Sequence, residues 1–285
     1  MSDREYVLTL SCPDGRGIVA AVANLLAGHG CNITESQQYG DAYTGRFFMR
    51  VQFAAEEPSA AEDALRAALA ALAADFGMDW GLWRRDVRPR TLVMVSRFGH
   101  CLNDLLYRRR SGLLDAEIVA VVSNHPDLEF LARSYELDFH HLPVTPETKP
   151  RQEARLLELV ESYDVELVVL ARYMQVLSED LCAKMSGRII NIHHSFLPSF
   201  KGARPYHQAH ARGVKLIGAT AHYVTADLDE GPIIEQEVAR VDHTESPEQL
   251  TAVGRDLESQ ALSRAVNWHA QRRVLLNGAK TVVFR

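Results

Sequence analysis

The first 85 residues combine short alternating segments with two stretches of helical periodicity. Apolar and polar residues alternate in four segments, which predicts the strands Tyr6–Ser11, Cys31–Gln38, Arg46–Phe53 and Met78–Arg85. Apolar residues recur at helical spacing from Ile18 to Leu26, and an Ala/Leu-rich run predicts a second helix that ends near Phe76. The resulting order, βαββαβ, predicts a ferredoxin-like domain over residues 1–85.

Residues 86–90 are charged, contain a proline and predict a linker, and the pattern changes beyond them. Apolar runs now alternate with helical segments and predict the strands Thr91–Ser96, Glu117–Val122, Asp138–Leu142, Val165–Leu170 and Arg188–Ile192. This alternation is typical of a mostly parallel sheet, so residues 91–285 are predicted to form a Rossmann-like α/β domain. Lys215–Val224 and Ile233–Arg240 predict an antiparallel pair, and a capping box at Ser246–Gln249 predicts the start of a long last helix.

Composition narrows the class of protein. Of the 285 residues, 47% are hydrophobic and 24% charged, and a net charge of −6 without a long basic block argues against a nucleic-acid partner. No apolar run reaches the ~18 residues of a membrane span, and the first five residues lack a signal-peptide pattern. The cysteines are far apart and predict reduced thiols: Cys12, Cys31, Cys101 and Cys182. We therefore expect a cytoplasmic protein with no membrane partner.

Two cofactor classes are disfavoured by the sequence. The turn after the first strand of the second domain, Ser96–His100, lacks the G-x-G-x-x-G pattern of dinucleotide-binding proteins. Histidines and acids near the candidate site could supply metal ligands: His193, His194, His207, His210, Asp227 and Asp229. Their spacings match no closed zinc signature, and adjacent histidines on an extended chain point to opposite sides. We expect no metal and no cofactor.

Polar side chains lie at the end of the strand Arg188–Ile192 and just beyond it, where catalysis would need them. Asn191 carries an amide that can donate to a developing oxyanion, and His193 carries an imidazole that moves protons near neutral pH. Parallel α/β sheets hold their sites at the carboxyl ends of the strands, where both residues would lie. Asp229 adds a carboxylate next to a Gly-Pro turn. The alternative is that an isolated Asn-x-His at the end of a strand is an ordinary feature of a loop and has no catalytic role.

Two motifs together make a family assignment. Asn191–Pro198 reads N-I-H-H-S-F-L-P, and Asp229–Pro232 reads D-E-G-P. The pair resembles the signature of the folate-dependent formyltransferase family, in sequence and in separation. The resemblance implies a catalytic set of Asn191, His193 and Asp229. It also implies a pterin slot formed by the L-A-R-Y-M-Q-V-L stretch on one side and the segment before Asp229 on the other. The slot residues are Leu170, Gln175, Val176, Leu177, Thr225 and Asp227. The alternative for this stretch is an ordinary strand-to-helix connection.

The first domain carries a second resemblance. The segment Cys12–Val19, with Gly30–Ile33 further on, resembles an ACT domain. That family often binds small amino acids between paired copies. The resemblance implies a regulatory ligand at Asp14, Gly15, Asn32 and Ile33, with glycine or methionine as candidates, and a homodimer or higher homo-oligomer. The alternative is that the domain only holds subunits together.

The reaction implied by the two resemblances is hydrolysis. Transferases of the family that use a phosphate-bearing amine have a glycine-rich first turn, whereas Arg97–Asp104 contains one glycine. His194 stands where those transferases commonly have proline, and they lack an ACT-like domain. The resemblance therefore implies that water attacks 10-formyltetrahydrofolate and releases formate and tetrahydrofolate, which supplies formate for purine biosynthesis. Whether His193 or Asp229 is the general base stays open. The alternatives are a glycinamide ribonucleotide formyltransferase and a non-catalytic amino-acid sensor.

Overall fold

The computed structural model describes residues 4–55, 60–197 and 205–285, and the chain forms two compact units. Unit 1 comprises Met1–Arg88 together with Gln271–Arg285, and unit 2 comprises Pro89–Ala270. The second boundary expected from the sequence is therefore wrong at its far end, because the last fifteen residues return to the first unit.

Unit 1 has the predicted βαββαβ order. Its elements are β1 (Arg4–Pro13), α1 (Ile18–Gly28), β2 (Cys31–Asp41), β3 (Arg46–Ala55), α2 (Ala60–Phe76) and β4 (Asp79–Arg84). The strands form an antiparallel sheet in the order β2-β3-β1-β4. Alternate residues of the central strands point to one face, where Leu8, Leu10 and Phe53 pack with the helices into a buried core. This confirms the ferredoxin-like fold.

Unit 2 is a seven-stranded sheet with helical connections. Its first half contains β5 (Arg90–Val95), α3 (His100–Arg110), β6 (Glu117–Ser123), α4 (Glu129–Arg133), β7 (Asp138–His141) and α5 (Lys149–Ser162). Its second half contains β8 (Leu167–Leu170), α6 (Glu179–Lys184), β9 (Ile189–His193), α7 (Pro205–Arg212), β10 (Leu216–Tyr223), β11 (Ile233–Arg240) and α8 (Pro247–Ala270). The core includes Leu92, Val168 and Ile189 from three adjacent strands.

The sheet order β11-β10-β9-β8-β5-β6-β7 creates the position for a site. The strands β5 to β9 pair in parallel, and β10 and β11 pair antiparallel at one edge, as the sequence predicted. From β5 the chain first adds β6 and β7 on one side of that strand, and then adds β8 and β9 on the other side. Ligands of such sheets bind at this reversal, beyond the carboxyl ends of the strands.

The last helix begins as predicted. Gln249 N–H donates to the Ser246 hydroxyl at 3.3 Å, and the Ser246 N–H donates to the Gln249 side chain at 2.7 Å, which is a reciprocal capping box. Among the described residues, no helix is long and apolar enough to cross a membrane.

A C-terminal hairpin that the sequence analysis did not predict completes unit 1. It consists of β12 (Val274–Asn277) and β13 (Lys280–Val283). The Asn277 amide donates to Asp41 at 2.7 Å, and Gln37 donates to the Arg285 carbonyl at 2.7 Å. These polar contacts join residues more than 200 positions apart, so no local sequence pattern predicts them. They explain why the predicted domain boundary was wrong.

Candidate active site

Strand β9 presents two polar side chains at the carboxyl edge of the sheet. Ile190 and Ile192 are buried in the core, whereas Asn191 and His193 occupy the alternate positions. Because side chains alternate along a strand, Asn191 and His193 project to the same face. His193 is 5% exposed, so its imidazole lies in a largely dehydrated environment.

The D-E-G-P loop returns a carboxylate to this edge. The Tyr223 N–H donates to the Pro232 carbonyl at 2.9 Å, which closes the loop between β10 and β11. A side chain at Gly231 would overlap the Tyr223 carbonyl, so glycine is required there. Asp229 itself has a φ of 57°, a conformation that non-glycine residues rarely adopt and that often marks functional positions.

Asp229 lies between two imidazoles. One of its oxygens is 3.2 Å from His193 Nδ1, and the other is 3.7 Å from His222 Nε2. Burial raises the pKa of Asp229, but the hydrogen bonds and charge of the two histidines outweigh that effect and hold the pKa well below its usual value. Asp229 is therefore a carboxylate, and it accepts from His193 Nδ1. The opposite nitrogen, His193 Nε2, is buried and has no hydrogen-bond partner among the described residues.

His222 is a site residue that the sequence analysis missed. It lies directly opposite Asn191 in the antiparallel pairing of β9 and β10. His222 Nδ1 is 2.8 Å from the Tyr223 carbonyl, and a carbonyl only accepts, so Nδ1 carries a proton. His222 Nε2 lies 3.2 Å from the Asn191 amide nitrogen, a contact that involves at most one of the two N–H groups of that amide. The sequence signal that could have identified His222 is a single histidine in an otherwise mostly apolar strand.

The turn after β9 brings two histidine rings together. The ring centroids of His193 and His194 are 4.9 Å apart, so the expectation that adjacent histidines point to opposite sides is wrong. It fails because β9 ends at His193 and the chain turns there. Burial, followed by the charges of Arg172 and His193, lowers the pKa of His194 to about 4. His194 is thus neutral at physiological pH.

Strand β10 fixes that turn. The Thr220 hydroxyl donates to the Ser195 carbonyl at 3.0 Å and accepts from the Leu197 N–H at 3.1 Å. Ser195 and Leu197 are motif residues, so this part of the motif serves to shape the turn. Pro198, the last residue of the motif, lies outside the described residues.

One cavity collects the predicted residues. Its volume is about 260 Å³, near the lower end of the ~300–1,000 Å³ typical of ligand pockets. The predicted catalytic and slot residues all line it: Asn191, His193, Asp229, Leu170, Gln175, Val176, Leu177, Thr225 and Asp227. His194, His222 and Arg172 line it as well. Met174, Val176 and Leu228 are more than half exposed apolar side chains along the cavity wall, which favours contact with an apolar ligand.

The loop after β8 is held by hydrogen bonds from Ser96, which directly follows β5. The Ser96 hydroxyl accepts from the Met174 N–H at 3.0 Å and donates to Asn124 at 2.7 Å, while the Ser96 N–H donates to the Arg172 carbonyl at 3.3 Å. The stretch predicted to contact a pterin is therefore a loop that these hydrogen bonds hold in place on the cavity wall. It is not only a strand-to-helix connection that packs on the core.

The predicted ligand residues of unit 1 are not brought together within one chain. Asp14 and Gly15 follow the end of β1, whereas Asn32 and Ile33 begin β2. The two strands pair with opposite edges of β3 in matching registers, so the end of β1 and the start of β2 lie at opposite ends of the sheet. The separation is roughly 30 Å for about nine residues of strand. All four residues are exposed.

One group of side chains in the described part of the chain has the make-up of a metal site. His100, Cys101 and Glu258 place their potential ligand atoms within 4.8 Å of one another. The Glu258 oxygens already accept hydrogen bonds from His100 and Tyr206, and burial raises the pKa of the Cys101 thiol, which stays protonated. The group therefore fits a buried hydrogen-bond network better than a metal site. None of the histidines considered from the sequence belongs to it.

Comparison with known families identifies both units. The formyl transferase family profile matches residues 89–266, and the ACT domain profile matches residues 6–70. The first match covers more than half of the chain and contains every residue of the cavity.

Individual relatives agree over the full length. A formyltetrahydrofolate deformylase of Corynebacterium sp. is 56% identical over 280 residues, covering 98% of both chains. The crystal structure of formyltetrahydrofolate deformylase from Burkholderia mallei superposes with a TM-score of 0.95 at 55% identity, covering 99% of this chain and 100% of that one. A glycinamide ribonucleotide transformylase from Symbiobacterium toebii is more distant, with a TM-score of 0.66 at 32% identity over 72% of this chain.

Proposed function

The chain belongs to the formyltetrahydrofolate deformylases of the formyl transferase family, and from that premise we propose that Asn191, His193 and Asp229 hydrolyse 10-formyltetrahydrofolate. The observation that carries this assignment of roles is the arrangement of His193. Its Nδ1 is held by the ionised Asp229, and its buried Nε2 has no other partner in the described structure. That nitrogen is the group available to a substrate or a water molecule.

His193 acts as the general base. Water attacks the formyl carbon while Nε2 accepts one proton from it, and Asp229 stabilises the resulting imidazolium. Asp229 itself is a weak base, because its lowered pKa means that it holds a proton poorly. The attack forms a tetrahedral intermediate whose oxyanion accepts from the free N–H of the Asn191 amide.

Collapse of the intermediate completes the reaction. The C–N bond to N10 breaks, and the proton held by His193 passes to N10 as it leaves. The collapse releases formic acid, which loses its remaining proton to water, so the products are formate and tetrahydrofolate, and His193 returns to its starting state. The acid–base and hydrogen-bonding groups of the chain supply every step, so the proposed reaction requires no metal or cofactor.

The folate enters through the slot around the loop after β8. The cavity of about 260 Å³ accepts a ring system, and the loop residues Gln175 and Leu177 line it. The exposed Met174 and Val176 extend this surface towards solvent and suit the aromatic part of the substrate beyond the ring. Thr225 and Asp227 close the opposite side.

The direct test is turnover without an amine acceptor. Purified protein with 10-formyltetrahydrofolate should release formate and tetrahydrofolate at the same rate whether or not glycinamide ribonucleotide is present. Turnover that requires glycinamide ribonucleotide and consumes it stoichiometrically would contradict hydrolysis and favour the transformylase reaction of the more distant relatives.

The ACT domain supports a regulatory proposal. An amino acid such as glycine or methionine binds at Asp14, Gly15, Asn32 and Ile33, with the two halves of the site supplied by different copies of the chain. The separation of these residues within one chain supports this, because a shared site then requires a homodimer or a higher homo-oligomer. The enzyme works in the cytoplasm, and the released formate serves purine biosynthesis.

A further inference from the structure

A buried carboxylate lies beside the cavity and takes no part in the proposed chemistry. Glu258, on α8, is 1% exposed, accepts from His100 at 2.8 Å and accepts from the Tyr206 hydroxyl at 2.8 Å. The Arg172 guanidinium lies 3.3 Å from the same carboxylate. Burial raises the pKa of Glu258, but His100, Arg172 and Tyr206 together hold it below its usual value. Glu258 therefore carries a negative charge.

The carboxylate lies at a place where an anion of a second substrate would be expected. His100 and Cys101 form the first turn of α3, which follows β5 at the reversal of the sheet. Helix N-termini at this position attract phosphates in α/β proteins. Here a Glu258 oxygen lies within 4.8 Å of the Cys101 sulfur, and no described residue of α3 or of the turn before it lines the cavity.

Arg172 stands between this carboxylate and the cavity. It lines the cavity and also contacts Glu258. Its φ of 65° is one that non-glycine residues avoid, and such strain persists only where the surroundings fix it. Two guanidinium nitrogens, Nε and Nη1, are buried without a hydrogen-bond partner among the described residues. Glu258 is the carboxylate that lies within ion-pair distance of the Arg172 guanidinium.

We propose that Glu258 is a built-in anion that occupies the acceptor side of the site, so that a phosphate-bearing amine is excluded and water is the formyl acceptor. The inference rests on the proposed hydrolysis and adds the residues that determine acceptor specificity. Glu258 occupies the partners that a phosphate would use, the Arg172 guanidinium and the His100 ring nitrogen, and its charge repels an incoming phosphate.

Phosphate binding tests this inference independently of the chemistry. Glu258→Gln keeps the shape and the hydrogen bond to Tyr206 but removes the charge, and Glu258→Ala also opens space. The matched control is Glu235→Gln, a buried carboxylate on β11 that lies 3.9 Å from Arg264. Each protein is titrated with inorganic phosphate by calorimetry, with the thermal midpoint followed in parallel. The Glu258 variants should bind phosphate at least about tenfold more tightly than the wild type and the control.

Two further probes sharpen the result. Acetate should raise the thermal midpoint of Glu258→Ala, because it replaces the missing carboxylate, and should leave the wild type unchanged. Glycinamide ribonucleotide should inhibit hydrolysis by the Glu258 variants, or accept the formyl group from them, and should do neither with the wild type.

The decision falls on Glu258→Gln, which is close in shape to the native residue. If it binds phosphate no more tightly than the wild type, or if the wild type binds phosphate equally well, the inference is overturned. A wild type that fails to hydrolyse 10-formyltetrahydrofolate would instead refute the proposed function, and the phosphate comparison would still stand on its own.

Discussion

Unit 2 gathers its polar candidate residues into one cavity, whereas unit 1 spreads its own over both ends of a sheet. In unit 2, the His193 and Asp229 side chains are 6% and 14% exposed and approach to 3.2 Å. In unit 1, Asp14 and Asn32 are exposed and separated by about the length of one strand. The first arrangement is complete in one chain, and the second is not.

Strand direction explains the difference. β8 and β9 are parallel neighbours that end at one edge, and the loop between β10 and β11 returns Asp229 to the same edge. β1 and β2 also run in the same direction, on either side of β3, but the candidate residues follow the end of one and begin the other. The candidate residues of unit 2 therefore converge within one chain, whereas those of unit 1 lie apart within one chain.

The strongest test of the comparison removes the groups that converge. His193→Ala and Asp229→Asn should each lower kcat by roughly 10²- to 10⁴-fold, the range of positioned acid–base and oxyanion groups. Folate affinity should change little, because the slot is formed largely by the loop after β8. Steady-state kinetics and equilibrium binding of tetrahydrofolate measure the two effects separately.

Glu230→Gln is the matched control for this loop. Glu230 is exposed, follows Asp229 directly and does not line the cavity, so its variant should keep kcat within a few-fold of the wild type. Near wild-type turnover by His193→Ala or Asp229→Asn would show that the altered residue is not part of the mechanism. The close approach of His193 and Asp229 would then not explain catalysis.

The sequence predicted the parts of the site that are local in the chain. The apolar run before Asn191 indicated a buried strand, and the Asp229–Pro232 motif indicated a turn, so both segments of the candidate site were located. The slot around Leu170–Leu177 was located in the same way, because it directly follows a fully apolar strand. Local patterns carry this information because strand and turn preferences depend on neighbours in sequence.

Contacts between distant positions were not predicted. Glu258 and His100 are 158 positions apart, and Asn277 and Asp41 are 236 apart. His222 became a site residue only through its pairing opposite Asn191. A single sequence shows none of these pairings, since they depend on how complete elements pack. This is also why the C-terminal hairpin was assigned to the wrong unit.

A partly buried histidine in unit 2 should make stability depend on pH. The pKa of His194 is about 4 in the folded protein and ~6.5 when unfolded, so the unfolded state binds more protons between these values. Its contribution to stability is full above pH ~6.5 and is lost as the pH falls towards 4, by roughly 3 kcal/mol at most. Denaturant unfolding at pH 7.5 and pH 5 should show a smaller loss for His194→Asn than for the wild type.

An exposed histidine provides the contrast. His243 is exposed in the loop before α8, so His243→Asn should lose as much stability on acidification as the wild type. Equal losses for His194→Asn and the wild type would show that burial of the His194 ring does not cause the loss of stability at low pH. Such a result would contradict the description of this cavity as a dehydrated site.

The smallest expected effect concerns unit 1 and asks whether its ligand site is shared between copies. Gly15→Val and Asn32→Ala each alter one end of the sheet, and the space around Gly15 is open, so the larger side chain should not disturb the fold. Wild-type activity should respond to glycine or methionine by about fivefold, the lower end of typical couplings. Each variant alone should lose this response.

Mixing the two variants decides between a shared site and a local one. In random dimers, roughly a quarter of the sites would combine an unaltered Gly15 from one copy with an unaltered Asn32 from the other, so part of the response should return. Tyr43→Ala, at a side chain that is 96% exposed in the turn between β2 and β3, should respond like the wild type. Rate titrations on the single and mixed proteins measure all of these effects.

If the wild type responds but mixing restores nothing, the two ends of the sheet do not form one site across copies. If no amino acid changes the rate or the thermal midpoint of the wild type, the unit serves only to hold subunits together.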